Sequence, residues 1–384
     1  MKQEQIGWKE LCAINGEHGE QTVATIRETS SLLAENLVDH AFGSIFAQTS
    51  LSRRERELLT VGILGALGGA EPQVRIHLAA ALRVGADLDE LVALAEHLSV
   101  YVGYPRALNL LREVREAARA AGKPVPLVTR RISLDGHQTR VFDSAGDKPA
   151  MILVHALGLD QRMWRDVIPG LVKTFRVIAY DLRGHGAAAG APAAGDLAAF
   201  AKDLTALLDT LDIATAHVVG LSLGGSIAQE LALNCPQRMR SLTVIASTAW
   251  PFDAFHERAN AAEREGMEAQ IVPSLLRWFR PEDLARNGWA VRYARDSVER
   301  AFVADWVAGW QALANIMTGE RLHQIAVPTH VIAAEQDVST PPQLMKRMLT
   351  VPGSVYSEIA GAPHMVSLTH PGPLAEAILR GVAE

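Results

Sequence analysis

His217-Val218-Val219-Gly220-Leu221-Ser222-Leu223-Gly224-Gly225-Ser226 is the stretch from which the fold of the longer part of the chain can be inferred. An apolar run enters a Gly-x-Ser-x-Gly sequence, and the helix-like run 227–233 follows it. A serine on such a tight strand-to-helix turn stands above the sheet, and the flanking glycines leave no side chain to shield it. An ordinary glycine-rich turn has the same sequence, so the surrounding residues must decide whether the serine is a nucleophile.

The composition of the 384 residues is that of a globular protein, and the length favours two domains. A formal net charge of −6 gives no basic field for nucleic acid or for an anionic membrane. Cys12 and Cys235 have no metal-ligand or redox spacing, which favours two reduced thiols. No apolar signal core opens the chain, and the run 58–70 is too short and glycine-rich to span a bilayer. We therefore expect a cytoplasmic protein with neither a nucleic-acid nor a membrane partner.

Residues 1–120 are predicted to form an all-α domain. Asp87 followed by Glu90 has the spacing of a capping box at a helix start. The stiff sequence Ala-Gly-Lys-Pro-Val-Pro predicts a linker at 121–127. Apolar residues recur at helical spacing in five segments, which are 25–40, 53–69, 73–84, 87–101 and 105–121.

Residues 128–384 are predicted to form an α/β domain. The segment 130–142 alternates as a hairpin around Asp135-Gly136. Helical segments separate most of the apolar strands that follow, which predicts a mostly parallel sheet covered on both faces. A helical insertion at about 250–321, rich in tryptophan, is interpreted as a lid over a pocket. The predicted strands after the hairpin are 151–155, 176–180, 217–220, 242–246, 329–334 and 355–359.

Two residues at strand ends can complete a catalytic serine site. A serine nucleophile needs a base to take its proton, and the base needs a carboxylate to orient it. Asp337 and His364 follow the last two strands, so the chain order is Ser, Asp, His, as elbow-type serine hydrolases require. His370 is a poorer base because it precedes a proline beyond the loop, and Glu335 is the alternative acid. We predict that Ser222, Asp337 and His364 are catalytic.

An acyl-transfer site also needs hydrogen-bond donors for the oxyanion that develops. The N–H of Leu223 directly follows the nucleophile at a helix N-terminus. The loop His155-Ala156-Leu157-Gly158-Leu159-Asp160, after the first parallel strand, offers the N–H of Leu157. We predict these two amides as the oxyanion hole, and assign His185, in the turn after the next strand, a structural role.

Residues 128–384 resemble the α/β-hydrolase family, and within it the 3-oxoadipate enol-lactonases. The enol-lactonase resemblance rests on 155–160 with Met163-Trp164, on Leu276-Arg277-Trp278-Phe279, and on Asp337 with Thr340-Pro341-Pro342. Two departures affect the substrate assignment more than the fold. They are Ala156, where these lactonases carry a small polar residue, and the lid run Ala308-Gly309-Trp310-Gln311.

The resemblance implies that an enol-lactone is hydrolysed through an acyl-enzyme, without a metal or a cofactor. A carboxylate on the substrate calls for an arginine, and Arg258 and Arg277 of the lid are the candidates. Trp278 completes the set of predicted substrate-binding residues in this domain.

In the helical region, a set of polar residues at helical spacing indicates a second candidate site. His97 and Tyr101 are four positions apart and so share one helix face. His77 stands among apolar neighbours, and a purely structural histidine is the alternative. A basic helix start at Arg54 adds a candidate for binding a carboxylate.

Residues 20–120 resemble the carboxymuconolactone decarboxylase family. The related D-type alkyl hydroperoxide reductases carry Cys-x-x-Cys ahead of the matching histidine, where this chain has Ala70 and Gln73, so thiol redox chemistry is excluded. The resemblance implies decarboxylation of 4-carboxymuconolactone, a substrate that is its own electron sink and needs no cofactor. His77 is then the proton donor. The supporting residues are His97, Tyr101 and Arg54.

The two resemblances name consecutive steps, because the decarboxylation product is 3-oxoadipate enol-lactone. We therefore predict a bifunctional 4-carboxymuconolactone decarboxylase and 3-oxoadipate enol-lactone hydrolase of protocatechuate (β-ketoadipate) catabolism. The resemblance also implies a homo-oligomer assembled through the helical domain. One alternative is an esterase or lactonase of other specificity with a non-catalytic helical oligomerisation domain. Another is a cofactor-free perhydrolase or haloperoxidase-type enzyme.

Overall fold

The computed structural model describes residues 3–122 and 128–383, which divide into two compact units. The first, Met1–Pro126, is the helical unit, and the second, Leu127–Glu384, is the sheet unit. Residues 123–127 of the predicted linker lie outside the described part. In the described ranges, no helix is both long and apolar enough to cross a bilayer.

The helical unit is built from helices throughout its described residues, as the sequence predicts. Asp87 forms the predicted capping box with Glu90 at the start of its helix. A second capping box, of Ser52 with Glu55, starts another. The helices are α1 (Gln3–Asn15), α2 (Glu17–Thr29), α3 (Ser31–Asn36), a π-helix (Leu37–Phe46), α4 (Arg53–Leu67), α5 (Glu71–Arg83), α6 (Leu88–Val102) and α7 (Tyr104–Ala120).

The predicted continuous helix 25–40 is wrong, because the chain breaks at Ser30. Ser30 is extended, with φ −148°, and its hydroxyl accepts the N–H of Leu33, which caps a new helix. The individual helical segments predicted from the sequence begin at residue 25, so they do not include α1. The small residue Gly7 of α1 lies against the carbonyl oxygen of Val38, where a side chain would clash. This close packing of α1 on the π-helix is a tertiary feature that periodicity within one segment does not reveal.

The sheet unit contains an eight-stranded sheet in the order β1-β2-β4-β3-β5-β6-β7-β8. The hairpin β1–β2 and the pair β2–β4 are antiparallel, and every other pair is parallel. The mostly parallel sheet and its hairpin are therefore confirmed. The strands are β1 (Thr129–Leu134), β2 (His137–Asp143), β3 (Ala150–Val154), β4 (Arg176–Tyr180), β5 (Ala216–Leu221), β6 (Met239–Ile245), β7 (Thr329–Ala334) and β8 (Val355–Ile359).

The strand order creates a switch point beside β3. From β3 the chain moves outward to β4, then returns to the other side of β3 as β5. Loops that leave the carboxyl ends of neighbouring parallel strands at such a point enclose a crevice. The helices α8 (Ile168–Leu171), α9 (Leu197–Thr210), α10 (Leu223–Asn234), α16 (Pro342–Lys346), α17 (Val366–Thr369) and α18 (Pro371–Ala383) connect or follow the strands.

A helical insertion separates β6 from β7 and forms the predicted lid. Its apolar side chains, among them Trp278, Trp306 and Trp310, belong to the same buried cluster as the sheet. The insertion is therefore packed into the body of the unit. Its helices are α11 (Asp253–Glu265), α12 (Glu268–Trp278), α13 (Pro281–Arg286), α14 (Trp289–Glu299) and α15 (Val303–Ala314).

Candidate active site

Ser222 occupies the sharp turn between β5 and α10. Its φ of 55° and ψ of −118° are strained for a residue with a side chain. A Cβ at Gly220 would clash with the carbonyl oxygen of Gly224, and one at Gly224 would clash with that of Val154. The two glycines of the Gly-x-Ser-x-Gly sequence are thus required by close backbone packing. The serine is held at the carboxyl end of β5, above the sheet.

His364 and Asp337 form a hydrogen-bond chain with this serine. The Nε2 atom of His364 is 3.1 Å from Ser222 Oγ, and its Nδ1 atom is 2.7 Å from Asp337 Oδ2. Asp337 also accepts the hydroxyl of Thr340 at 2.7 Å and the N–H groups of Ser339 and Thr340. Burial opposes ionisation, but His364 and these hydrogen bonds hold the pKa of Asp337 below its usual value. The carboxylate is therefore charged and fixed.

The two alternative residues are placed elsewhere. His370 makes its described hydrogen bond to the hydroxyl of the adjacent Thr369. Glu335 is exposed and accepts the N–H of Gly361. The structure thus brings together Ser222, His364 and Asp337, the set that the sequence predicts.

The two predicted oxyanion amides lie on segments that meet beside Ser222. Leu223 is the first residue of α10, so its N–H has no acceptor within the helix. Leu157 follows β3, the strand next to β5, and lines the same cavity as the serine. The close approach of α10 to the end of β3, required at Gly224, brings these segments together.

A cavity lies above Ser222 between the sheet and the lid, and its empty space together with the solvent that it opens onto is about 450 Å³. The lid contributes an aromatic and cationic wall, and the strand ends contribute small hydroxyl groups. All three predicted lid residues line it. The lining residues are Leu157, Ser222, Ser247, Thr248, Phe255, Arg258, Arg277, Trp278, Trp310, Leu313, Ser339, Thr340 and His364.

Arg258 and Arg277 are half-buried cations in this wall. Among the described residues, no carboxylate lies within ion-pairing distance of either guanidinium, and Arg277 donates to Ser274 Oγ at 3.1 Å. Burial lowers the pKa of Arg258. Burial, and then repulsion from Arg258, lower the pKa of Arg277 to about 10. Glu257 attracts Arg258 from beyond ion-pairing distance, so neither of the two neighbouring cations has a direct carboxylate partner in the described part of the chain, and the pair suits a negatively charged ligand.

His185 and His155 are buried structural histidines. His155 accepts the N–H of Leu182 through Nε2, and burial, then His185, lower its pKa to about 3. His185 contacts the carbonyl oxygen of Arg183 through Nδ1, and burial lowers its pKa as well. Neither lines the cavity above Ser222, in agreement with the structural role expected for His185.

His77 of the helical unit has a partner that was not among the predicted site residues. Its Nδ1 atom is 2.8 Å from Oε2 of Glu57, a fully buried residue. The other oxygen of Glu57 has no hydrogen-bond partner in the described part of the chain. The signal was present in the sequence, because Glu57 shares the buried face of α4 with Val61 and Gly65. A carboxylate on an apolar helix face is costly unless it is paired.

The other predicted residues of the helical unit have partners of their own. Arg54 forms an ion pair with Glu90. His97 and Tyr101 are exposed, and their rings contact each other at an interplanar angle of 49°, with centroids 5.0 Å apart.

The packing of α6 on α4 sets His97 and Tyr101 at a different level along α4 from His77. Leu98 of α6 packs beside Gly65 of α4, whereas His77 pairs with Glu57, eight residues earlier on α4. Eight helical residues span about 12 Å. His97 and Tyr101 are therefore offset along α4 from the pair of Glu57 and His77, and their supporting role stays a prediction.

Comparisons with known proteins agree with both resemblances. The model of the alpha/beta hydrolase fold family matches residues 149–371, and that of the carboxymuconolactone decarboxylase family matches residues 32–116. A 3-oxoadipate enol-lactonase of Acinetobacter baylyi is 31% identical over 194 residues, which are 50% of this chain and 73% of the relative. The crystal structure of the enol-lactonase from Burkholderia xenovorans is 25% identical, has a TM-score of 0.64, and covers 66% of this chain and 100% of its own. A hydrolase from Pseudomonas aeruginosa is 30% identical with a TM-score of 0.63, over 67% of this chain and 99% of its own.

Proposed function

The chain belongs to the alpha/beta hydrolase fold family, and on that basis we propose that its sheet unit hydrolyses 3-oxoadipate enol-lactone. One observation carries the proposal: the Asp337–His364–Ser222 hydrogen-bond chain opens into a cavity that also holds two arginines. The first feature suits attack on a lactone carbonyl, and the second suits the substrate's carboxylate. The relatives named as enol-lactonases support this choice among esters and lactones.

The reaction proceeds through an acyl-enzyme. His364 takes the proton of Ser222 as the hydroxyl attacks the lactone carbonyl, and Asp337 stabilises the imidazolium that forms. The amides of Leu157 and Leu223 stabilise the oxyanion. Collapse of the tetrahedral intermediate breaks the ring C–O bond, and His364 returns the proton to the departing enol, which becomes a ketone. Water, deprotonated by His364, then releases the carboxylic acid from Ser222.

The helical unit is proposed to carry out the preceding decarboxylation of 4-carboxymuconolactone. The lost carboxylate is vinylogous to the lactone carbonyl, so the ring itself holds the electron pair that the departing CO₂ leaves behind. The protein then has to deliver one proton. His77 is suited to this transfer, because Glu57 fixes the orientation of its ring through Nδ1 and leaves Nε2 for the substrate. The family match over residues 32–116 supports this assignment.

The two proposed reactions are consecutive, which is the reason to combine them in one protein of protocatechuate catabolism. The decisive experiment supplies 4-carboxymuconolactone to the full-length Ser222→Ala variant. Accumulation of the enol-lactone, with wild type forming 3-oxoadipate, is the expected result. Untouched 4-carboxymuconolactone would refute the decarboxylase, and continued 3-oxoadipate formation beyond the spontaneous rate would refute Ser222 as nucleophile.

A second candidate keeps the hydrolase and makes the helical unit an oligomerisation module, alone or in addition to catalysis. The supporting observation is a row on α4 in which Leu59, Ile63 and Leu67 are 53–62% exposed. These residues are four apart and form one apolar stripe, which a second copy of the chain can cover. We expect Ile63→Asp to lower the molar mass measured by light scattering, with Arg27→Asp on α2 as the control. An unchanged mass would exclude this stripe as the interface.

A further inference from the structure

The loop that carries Leu157 is held from below by the sheet unit's own body. We call residues 155–160, between β3 and the 3₁₀ turn 161–164, the oxyanion loop. At its start, His155 Nε2 accepts the N–H of Leu182 at 2.8 Å. Just after its end, the N–H of Gln161 donates to Asp181 Oδ1 at 3.0 Å. These contacts fix the ends of the loop and leave its middle to other supports.

The lid supplies those other supports through direct packing. A Cβ at Gly158 would clash with the ring of Trp306 and lie 3.2 Å from that of Trp278. Gly158 also has a φ of 77°, so two constraints favour glycine there. From α15, Gly309 lies so close to Leu157 that a Cβ would be 2.8 Å from its Cδ1. The lid thus touches the middle of the oxyanion loop at two adjacent residues.

Tyr293 of α14 adds a polar clamp at the end of the loop. Its hydroxyl accepts the N–H of Asp160 at 3.0 Å and lies 3.1 Å from both the carbonyl oxygen and Oδ1 of Asp160, to which it can donate. One hydroxyl therefore bonds both backbone groups of a single loop residue. Burial, then the Asp160 carboxylate, raise the pKa of Tyr293 well above its usual value, so the hydroxyl keeps its proton.

The tyrosine ring is itself held in place. It stacks on Trp289 with centroids 4.9 Å apart and an interplanar angle of 4°. Arg162 lies 4.9 Å above the tyrosine ring, and Arg165 lies 3.5 Å above Trp289. Both arginines belong to the segment that follows the oxyanion loop. Their cation–π contacts therefore join this segment to the lid residues Tyr293 and Trp289. Tyr293 does not line the cavity above Ser222.

From these contacts we propose that Tyr293 is a positioning residue, through which the lid fixes the oxyanion loop and with it the amide of Leu157. The role rests on the proposed serine hydrolase, since the amide stabilises the oxyanion on the carbon that Ser222 attacks. The lid then acts on the transition state as well as covering the substrate. Loss of the hydroxyl leaves both backbone groups of Asp160 without this partner, and the loop can relax. Small displacements of a catalytic group cost rate while substrate affinity is retained.

The test is Tyr293→Phe, which keeps the stacked ring and removes only the hydroxyl. Tyr356→Phe is the matched control, because it also removes a hydroxyl bonded to a carboxylate, at 2.7 Å from Glu358 on β8. With p-nitrophenyl butyrate as the substrate, we expect kcat to fall about 10- to 100-fold in Tyr293→Phe and KM to stay within about twofold. Affinity for an alkylboronic acid, which forms a tetrahedral anion on the serine, falls by the same factor as kcat/KM.

A role confined to folding predicts a different pattern, in which the active-enzyme fraction falls while kcat per titrated serine and boronate affinity are retained. That pattern, or a rise in KM alone, would overturn the proposal. Gly309→Ala provides a second approach from α15, and it should also weaken the boronate complex. A wild type that hydrolyses neither this ester nor the enol-lactone in a Ser222-dependent manner would instead overturn the proposed hydrolase, so the two failures are distinguishable.

Discussion

The imidazole Nε2 of His364 lies 3.1 Å from the hydroxyl of Ser222, although 142 positions separate the two residues. Their meeting depends on the strand order, which places β5 in the middle of the sheet and sends the chain through the lid before β7 and β8. The serine is fixed by backbone packing at its turn, whereas the histidine is fixed by Asp337. The base can therefore be disabled without disturbing the nucleophile's turn.

The Asp337→Asn variant tests this separation. A neutral amide in place of the carboxylate cannot stabilise a charged imidazolium, so we expect kcat for ester or lactone hydrolysis to fall about 10⁴-fold, as in other serine triads. Binding of substrate should change little, because Asp337 is behind the histidine. Glu335→Gln, two positions earlier and exposed, is the control and should retain activity within about twofold. Equal losses in both variants would argue against Asp337 as the orienting acid.

The arginines of the lid give a prediction about substrate charge. Removal of Arg277 takes away a charge-assisted hydrogen bond to the carboxylate, an interaction of about 1.5–3 kcal/mol. We therefore expect Arg277→Ala to raise KM for the enol-lactone about 10- to 100-fold and to leave a neutral p-nitrophenyl ester nearly unaffected. Arg264→Ala changes an exposed arginine of α11 and serves as the control. A uniform effect on charged and neutral substrates would place the role of Arg277 in folding of the lid.

Much of this site could be predicted from the sequence because its parts are local. The turn around Ser222 is formed by consecutive residues, and Asp337 and His364 each follow a predicted strand. Parallel strands bring such loops to one edge. His364 could be chosen over His370 because it lies in the loop after the last strand, whereas His370 lies beyond that loop and precedes a proline. The lid was recognisable as a helical interruption in the series of strands.

The features that the sequence did not reveal depend on contacts between distant segments. Tyr293 looks like an ordinary aromatic residue of an amphipathic helix, and only the fold places its hydroxyl on Asp160. Glu57 was overlooked because its histidine partner is 20 positions away on another helix. Ser30 divides a predicted helix through its own capping bond, which competes with a periodicity that continues across it. In each case the hydrogen bonds of one side chain outweighed the pattern of the segment.

Asp181 leads to a prediction about stability and pH. Burial, then the Asp160 carboxylate, raise the pKa of Asp181 above its unfolded value. The folded state therefore holds a proton that the unfolded state has lost, and stability must decrease as the pH rises from the unfolded pKa through the folded pKa. Each unit of pH in that window costs at most about 1.4 kcal/mol for one proton.

The Asp181→Asn variant cannot titrate at this position, so the difference in urea midpoint between wild type and variant should shift in favour of the variant as the pH rises from about 5 to about 8. Tryptophan fluorescence is a suitable probe, since Trp8 is the only one of the seven tryptophans that precedes residue 128. Ser144→Ala, a non-titrating change elsewhere in the unit, should give a pH-independent difference. A constant difference for Asp181→Asn as well would show that this carboxyl titrates normally.

Substitutions of Glu57 and His77 can test the proposed decarboxylase separately from the hydrolase, within the full-length protein. If Glu57 orients His77 for proton delivery, Glu57→Gln preserves the shape of the buried side chain and removes the charge that stabilises the imidazolium. We expect decarboxylation of 4-carboxymuconolactone to fall about 10- to 100-fold in Glu57→Gln and about 10²- to 10⁴-fold in His77→Ala, the usual contribution of a general acid. Hydrolysis of supplied enol-lactone should remain at the wild-type rate in both, because Ser222 belongs to the other unit.

His18→Ala, which removes an exposed helical histidine of α2, is the control. If His77→Ala decarboxylates as fast as wild type, the histidine is structural; if all three variants lose hydrolysis as well, the substitutions have unfolded the chain.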